Sequence, residues 1–201
     1  MEFFKNIVLY SYFLFNKGLD IREVIDNCIL FLIAGFDTTS STLNNISYYL
    51  VSNLLVYENL LKELDNNVDE NEMTIEDLNK LVYLEACINE TLRLQPSLAR
   101  IERKAVMDCK LENIFIPKDT YITIPLKAVH RDPDNFENPD EFIPERFLPE
   151  NKHNIKAGTF LGFADGPRNC IGMRFALIEI KYCLAKLFKK YKFVKCDETE
   201  V

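Results

Sequence analysis

The sequence predicts a mainly α chain with small antiparallel β-ribbons confined to its middle. Three observations carry that expectation. Apolar residues recur with helical period from about residue 20 to Pro96. Short alternating pieces broken by prolines follow. A last segment, about 172 to 190, returns to the helical pattern. The composition is that of an ordinary globular chain, 48% apolar and 27% charged in 201 residues, which is long enough to bury a real core.

Each element can be read in order. The opening MEFFKNIVLYSYFLF carries Lys5 among aromatics at helical spacing and reads as a packed helix. It lacks the basic start and small-residue cleavage site of a signal sequence. One long helix is expected over about 20 to 53, capped by Asp20, with Ile25, Ile29, Leu32 and Ile33 on its apolar stripe. Residues 55–67 form another. TIEDLNK is a short helix with Thr74 and Asp77 placed as a capping box. LVYLEACINETLRLQP is one more, stopped by Pro96. IERKAV, NIFIP and TYITIP read as strands. DPDNFENPDEFIPERFLPENK contains four prolines, too many breakers for regular elements. Phe136, Phe142 and Phe147 mark it as ordered and packed down all the same.

The bulk numbers exclude several functions. A formal charge of −7 argues against nucleic-acid binding. Six cysteines, at 28, 87, 109, 170, 183 and 196, form no C-x-x-C pair, and only two histidines exist. That disfavours a zinc site. With no signal sequence a disulfide framework has little support, so most of the cysteines read as reduced, small core hydrophobes. The apolar run CILFLIAGF, 28–36, is too short to cross a membrane.

One loop stands apart. FADGPRNCIG, 163–172, puts a thiol between glycines just ahead of a helix. A thiolate is favoured at a helix N-terminus by the dipole and the free amides. Gly166 and Gly172 let the backbone turn tightly and approach a bulky neighbour. Arg168 can bind a carboxylate in bidentate fashion, and Phe163 can shield one side. A lone cysteine would read as a buried structural residue. Here five fixed positions satisfy F-x-x-G-x-R-x-C-x-G, a match expected on the order of once in ten million start positions.

The loop resembles the haem-binding signature of the cytochrome P-450 superfamily. The resemblance implies that Cys170 is the axial thiolate ligand of haem b and that Arg168 meets a haem propionate. Phe163, Gly166 and Gly172 would contact the cofactor. Two positions depart from the pattern: Gly162 stands where many members have proline, and Ala164 where glycine or serine is common.

The rest of the chain follows the same family order. Within AGFDTT, 34–39, Gly35 weakens the long helix and Thr38 can bond back to the carbonyl of Ala34, opening the ladder at one point. The stretch resembles the family's oxygen-activating helix, which implies proton delivery by Asp37 and Thr38 and places Ala34 against the cofactor. ETLR puts Glu90 and Arg93 one turn apart, and PERF supplies Arg146. By themselves these read as surface charges worth little. The resemblance implies a buried structural network of the three. Arg103 is a second propionate candidate, with Arg100 and His130 as weaker ones; solvated surface charges are the alternative. The wording FIP…HRDP…FIPERF…GPRNCIGMRFAL is closest to animal microsomal members acting on xenobiotics and steroids.

The resemblance further implies a monooxygenase using electrons that originate in NADPH and arrive through cytochrome P-450 reductase, with a cytochrome b-type protein as another donor. It implies a lipophilic substrate, and the cytoplasmic face of the endoplasmic reticulum membrane as its location. Lys181, Lys186, Lys189, Lys190 and Lys192 could meet an acidic reductase surface, or merely complement the helix C-terminus. Residues 1–201 are expected to be the C-terminal part of the catalytic domain, with the N-terminal anchor, the distal helices and the last hairpin outside them. The long helix would then expose an apolar face and the isolated chain would fold poorly or aggregate. Two rivals stay open: a cysteine hydrolase pairing Cys170 with His130 or His153, and a non-catalytic remnant with weak or no haem binding.

Overall fold

The computed structural model describes residues 18, 20–69 and 72–199; the helix expected over the first fifteen residues lies outside them. The chain divides into two units, 1–41 and 42–201. Helix α1, Ile21–Ser52, begins in the first and ends in the second. Its start is capped as the sequence predicts. Asp20 Oδ1 accepts from the N–H groups of Arg22 and Glu23 at 2.7 and 2.9 Å, and Glu23 Oε2 accepts from Asp20 N–H at 2.9 Å. These contacts satisfy amide groups that the helix itself leaves unpaired. The part of α1 in the first unit exposes Ile25, Ile29, Leu32, Ile33 and Phe36, the apolar face expected there.

In the second unit follow α2, Leu54–Asn67, α3, Ile75–Lys80, and α4, Val82–Leu94. The Thr74–Asp77 capping box is present, and the Lys80 ammonium and Thr74 hydroxyl hold the Asp77 carboxyl down at about 2. Strands β1, Arg100–Lys104, and β4, Tyr121–Pro125, pair antiparallel with Ile101 opposite Ile124. Between them β2, Cys109–Leu111, and β3, Ile114–Ile116, form a separate hairpin. Helix α5, Leu126–His130, follows β4 directly, and α6, Met173–Lys190, closes the fold. The sequence pattern does not announce β2 or α5. All three β2 residues are exposed, so no alternation marks the strand, and α5 is barely one turn long.

The core explains why the helices form. Leu50 of α1, Leu60 and Leu64 of α2, Leu78 of α3, Leu84 and Ile88 of α4, and Leu184 and Phe188 of α6 pack into one cluster. Burying each such side chain contributes about 1.5–3 kcal/mol. Helix α4 is enclosed nearly all round: apart from its first turn, only Asn89 is not fully buried. The proline-rich stretch is ordered as expected, with 3-10 turns at Pro144–Phe147 and Lys152–Asn154. Phe142 stacks on Tyr49 at 4.9 Å between ring centroids, Phe147 meets Phe160 edge-on at 4.6 Å, and Phe136 is buried.

The cysteines correct the sequence reading. Only Cys87 is a fully buried core residue, where burial pushes its pKa well up. Cys109, Cys170 and Cys196 are exposed. Among the described residues no helix is long and apolar enough to cross a membrane.

Candidate functional site

The site is built on α4. A half-buried carboxylate from α2 fixes the start of that helix. Glu63 Oε1 accepts from Tyr83 N–H at 2.6 Å and Oε2 from Leu84 N–H at 2.9 Å, while burial pushes the carboxyl up. These are amide groups the helix cannot satisfy itself. No local motif announces Glu63, since it lies twenty residues upstream of its partners.

Two turns on, Glu90 and Arg93 are fully buried. Arg93 Nε and Nη2 make a bidentate pair with Glu90 at 2.7 and 2.8 Å. Nη1 donates to the carbonyls of His130 and Pro139 at 2.8 and 2.6 Å, and Nη2 also donates to Glu141 O at 3.0 Å. A guanidinium has five N–H donors, and all five are used. Glu90 Oε1 additionally accepts from Ile143 N–H at 2.9 Å and lies 3.4 Å from Arg146 Nε. Arg146 Nη2 donates to Asn138 O at 2.9 Å. The structure thus brings Glu90, Arg93 and Arg146 together and uses them to pin the proline-rich stretch. Desolvating the Glu90–Arg93 pair is tolerable only because every Arg93 donor and both Glu90 oxygens are matched.

His130 belongs to this assembly and not among the propionate candidates. It is fully buried. Nδ1 lies 3.0 Å from Arg93 O, and Nε2 accepts from Leu161 N–H at 2.9 Å. A carbonyl on one side and an amide on the other demand the neutral ring with its proton on Nδ1. Burial, with the nearby Arg93 charge, lowers its pKa to about 4. Both nitrogens being occupied, His130 is no base for Cys170, and His153 is an exposed residue of a surface turn. This removes the geometric support for a hydrolase built on His130.

The cysteine loop starts where the His130 contact ends. Phe163 is half-buried against the main core, and its carbonyl accepts from Cys170 N–H at 2.9 Å. Gly166 opens the 3-10 turn Gly166–Arg168 with φ +76, a region glycine enters without cost. Asp165 Oδ1 accepts from Gly166 N–H at 2.7 Å. Gly172 caps α6, and a Cβ there would stand 4.0 Å from Cys170 Sγ. Arg168 and Cys170 are both exposed. The two departures from the family pattern each have a local account. A Cβ on Gly162 would come 2.7 Å from Phe160 Cζ and 3.1 Å from Leu92 Cβ, so bare backbone is needed for Phe160 to fold over it. Ala164 sits at φ +59, in the left-handed region, with its methyl packed on the Ile101, Leu126 and Leu161 cluster.

In the first unit, Thr38 Oγ1 donates to Ala34 O at 2.6 Å, as its spacing predicts. The expected opening of the ladder does not occur. Helix α1 is continuous through Ala34, Gly35, Asp37 and Thr38, because the hydroxyl adds a bond to the Ala34 carbonyl without displacing the helix.

The remaining basic candidates are dispersed. Arg103 is exposed on β1 and donates to Glu102 O at 3.0 Å; Arg100 pairs with Glu102 at 3.0 Å. Lys181 cannot meet a partner protein. It is buried on the inner stripe of α6 with Ile180, Leu184, Ala185 and Phe188, bonded to Glu85 at 2.6 Å and to Leu78 O at 3.2 Å. Its spacing of three and four from Leu184 and Ala185 was the available signal. Lys189 pairs with Asp65 at 2.9 Å.

Comparison with known proteins gives the geometry a setting. The family model described as Cytochrome P450 matches residues 5–201. Cytochrome P450 3A6 of Oryctolagus cuniculus is 44% identical over 187 residues, covering 92% of this chain and 37% of that protein. Cytochrome P450 3A27 of Oncorhynchus mykiss is 42% identical over 188 residues, covering 92% and 36%. Cytochrome P450 3A2 of Rattus norvegicus is 41% identical over 187 residues, covering 92% and 37%. The chain therefore spans little more than a third of the length of these relatives.

Proposed function

The chain belongs to the cytochrome P450 family, and on that premise we propose that it is the C-terminal part of a haem-thiolate monooxygenase domain acting on a lipophilic small molecule. The observation that carries this reading is the presentation of Cys170. Its thiol is exposed while its backbone is tied to Phe163 O at 2.9 Å.

The residues present fit haem. Sulfur is a suitable donor to iron. Glycine at 172 keeps the flank of the sulfur clear, and nothing lies within 4 Å of a Cβ built at Gly166, so a flat macrocycle can lie close to the backbone. Arg168 offers a fork for one propionate through charge-assisted hydrogen bonds, and Arg103 is the candidate for the second. When bound, haem would supply reductive activation of dioxygen, one atom passing into a C–H or C=C bond and the other leaving as water.

The protein's own share is specific. Cys170 would hold the iron of the cofactor and donate electron density to it through its sulfur. The Glu90, Arg93 and Arg146 network keeps the platform beneath the loop in one arrangement. The Asp37 carboxyl and the Thr38 hydroxyl carry protons, with Thr38 oriented by its bond to Ala34 O. Electrons are taken to come from NADPH through a reductase, or from a cytochrome b-type donor, since the sequence carries no G-x-G-x-x-G. The endoplasmic reticulum membrane is the proposed location.

Reconstitution with haem tests the reading. A thiolate-type ferrous–CO spectrum is expected, lost in Cys170→Ala, with weaker haem retention in Arg168→Ala. A spectrum indifferent to Cys170→Ala would overturn it. Turnover with added reductase then separates a working enzyme from a haem-binding remnant.

A further inference from the structure

Arg93 and His130 exchange two hydrogen bonds. The guanidinium of Arg93 donates to the carbonyl of His130 at 2.8 Å, and the ring of His130 meets the carbonyl of Arg93 at 3.0 Å. The far nitrogen of the same ring accepts from Leu161 N–H at 2.9 Å. Leu161 O in turn accepts from Ala164 N–H at 3.0 Å, and Phe163 O from Cys170 N–H at 2.9 Å. A line of short contacts thus runs from the buried α4 network to the cysteine, and a single side chain joins its two halves. The ring is held in place on its faces as well. It stacks on Phe160 at 5.7 Å and 25°, and meets Phe136 edge-on at 6.4 Å.

We infer that His130, as the neutral ring with its proton on Nδ1, is a positioning residue that anchors the cysteine loop at Leu161 and so sets how Cys170 is presented. The part of this inference that concerns haem rests on the proposed ligation by Cys170; the part that concerns the loop does not. The Arg93 bond orients the ring, and the Leu161 bond transmits that orientation. A histidine is needed because it must donate on one side and accept about one ring width away on the other. Asparagine can place an amide N–H where Nδ1 stands but reaches no further. Glutamine can place an acceptor oxygen where Nε2 stands but gives up the donor to Arg93.

Those two substitutions separate the bonds. In the haem-free chain, His130→Asn is expected to speed amide hydrogen exchange at Leu161, Ala164 and Cys170 about tenfold, the effect of one lost hydrogen bond. Exchange in α4 should not change. His130→Gln should leave loop exchange within about twofold of the unsubstituted chain. After reconstitution, His130→Asn is expected to shift part of the ferrous–CO spectrum from the thiolate form to the form lacking thiolate ligation, and His130→Gln to preserve the thiolate form. Nitrogen-15 spectra of the histidines should show the Nδ1–H tautomer before any substitution. The inference falls if both variants perturb the loop and α4 alike, if neither changes loop exchange, or if the ring carries its proton on Nε2. If the unsubstituted chain shows no thiolate band, the ligation reading fails while the exchange result still decides the role of His130.

Discussion

Arg93 uses all five of its N–H donors inside the protein and has no exposed surface. Arg168, at the end of an exposed 3-10 turn, makes no hydrogen bond or ion pair among the described residues. The same contrast separates the two regions around them. The Glu90–Arg93 pair that joins α4 to the proline-rich stretch is desolvated and its donors and acceptors are matched, so it has a single low-energy arrangement. The cysteine loop exposes its thiol and its cation and carries two residues, Ala164 and Gly166, at positive φ. A buried polar group without its partner costs about 1–3 kcal/mol. Groups kept for an external ligand must therefore lie outside such a network and be held by it from below.

Substitutions at the two arginines sharpen this contrast most. Arg93→Met should lower stability by about 3–5 kcal/mol, because it leaves the Glu90 carboxylate buried without its main partner. Arg93→Lys should recover little, since an ammonium has three donors and no planar fork. Arg168→Ala should stay within about 0.5 kcal/mol of the unsubstituted chain. Urea denaturation measures all three, and equal effects at the two positions would mean that the two regions do not differ in this way.

Acid probes the joint between the regions. The folded pKa of His130 is depressed from 6.5 to about 4, so below pH 6.5 the unfolded chain binds a proton that the folded chain refuses. Its contribution is complete above pH 6.5 and is lost as pH falls toward 4, by about 3 kcal/mol in total. Stability curves of the chain and of His130→Asn should converge over that window. Parallel curves would mean that the ring is protonated without loss.

Smaller effects are expected within the loop. Gly162→Ala should cost about 1–3 kcal/mol, because the new methyl meets the Phe160 ring, itself wedged between His130 and Phe147. Ala164→Gly should stabilise by at most about 1 kcal/mol, as relief of left-handed strain outweighs loss of one methyl contact. Thermal melts check the sign of each, and a stabilising Gly162→Ala would show that the loop yields at that point.

Local rules were sufficient for much of this molecule. Helical period, the caps at Asp20 and Thr74, and the proline breakers placed the long helices and the strands of the β1–β4 ribbon, because each depends on neighbours within four residues. The spacing of Glu90, Arg93, Arg146 and Cys170 was equally legible as a pattern. Burial was not. Lys181 reads as one more lysine on a basic helix until α3 and α4 close over it, and Glu63 reads as a surface carboxylate until the start of α4 arrives beneath it. His130 reads as one of several polar residues near a turn. Its tautomer and its partners come from segments 37 residues before it and 31 after it. Sequence alone determined the long helices and the motif residues placed on them. Tertiary structure alone decided which charges are desolvated, since the free energy of a buried polar group depends on partners that the chain brings together only when it folds.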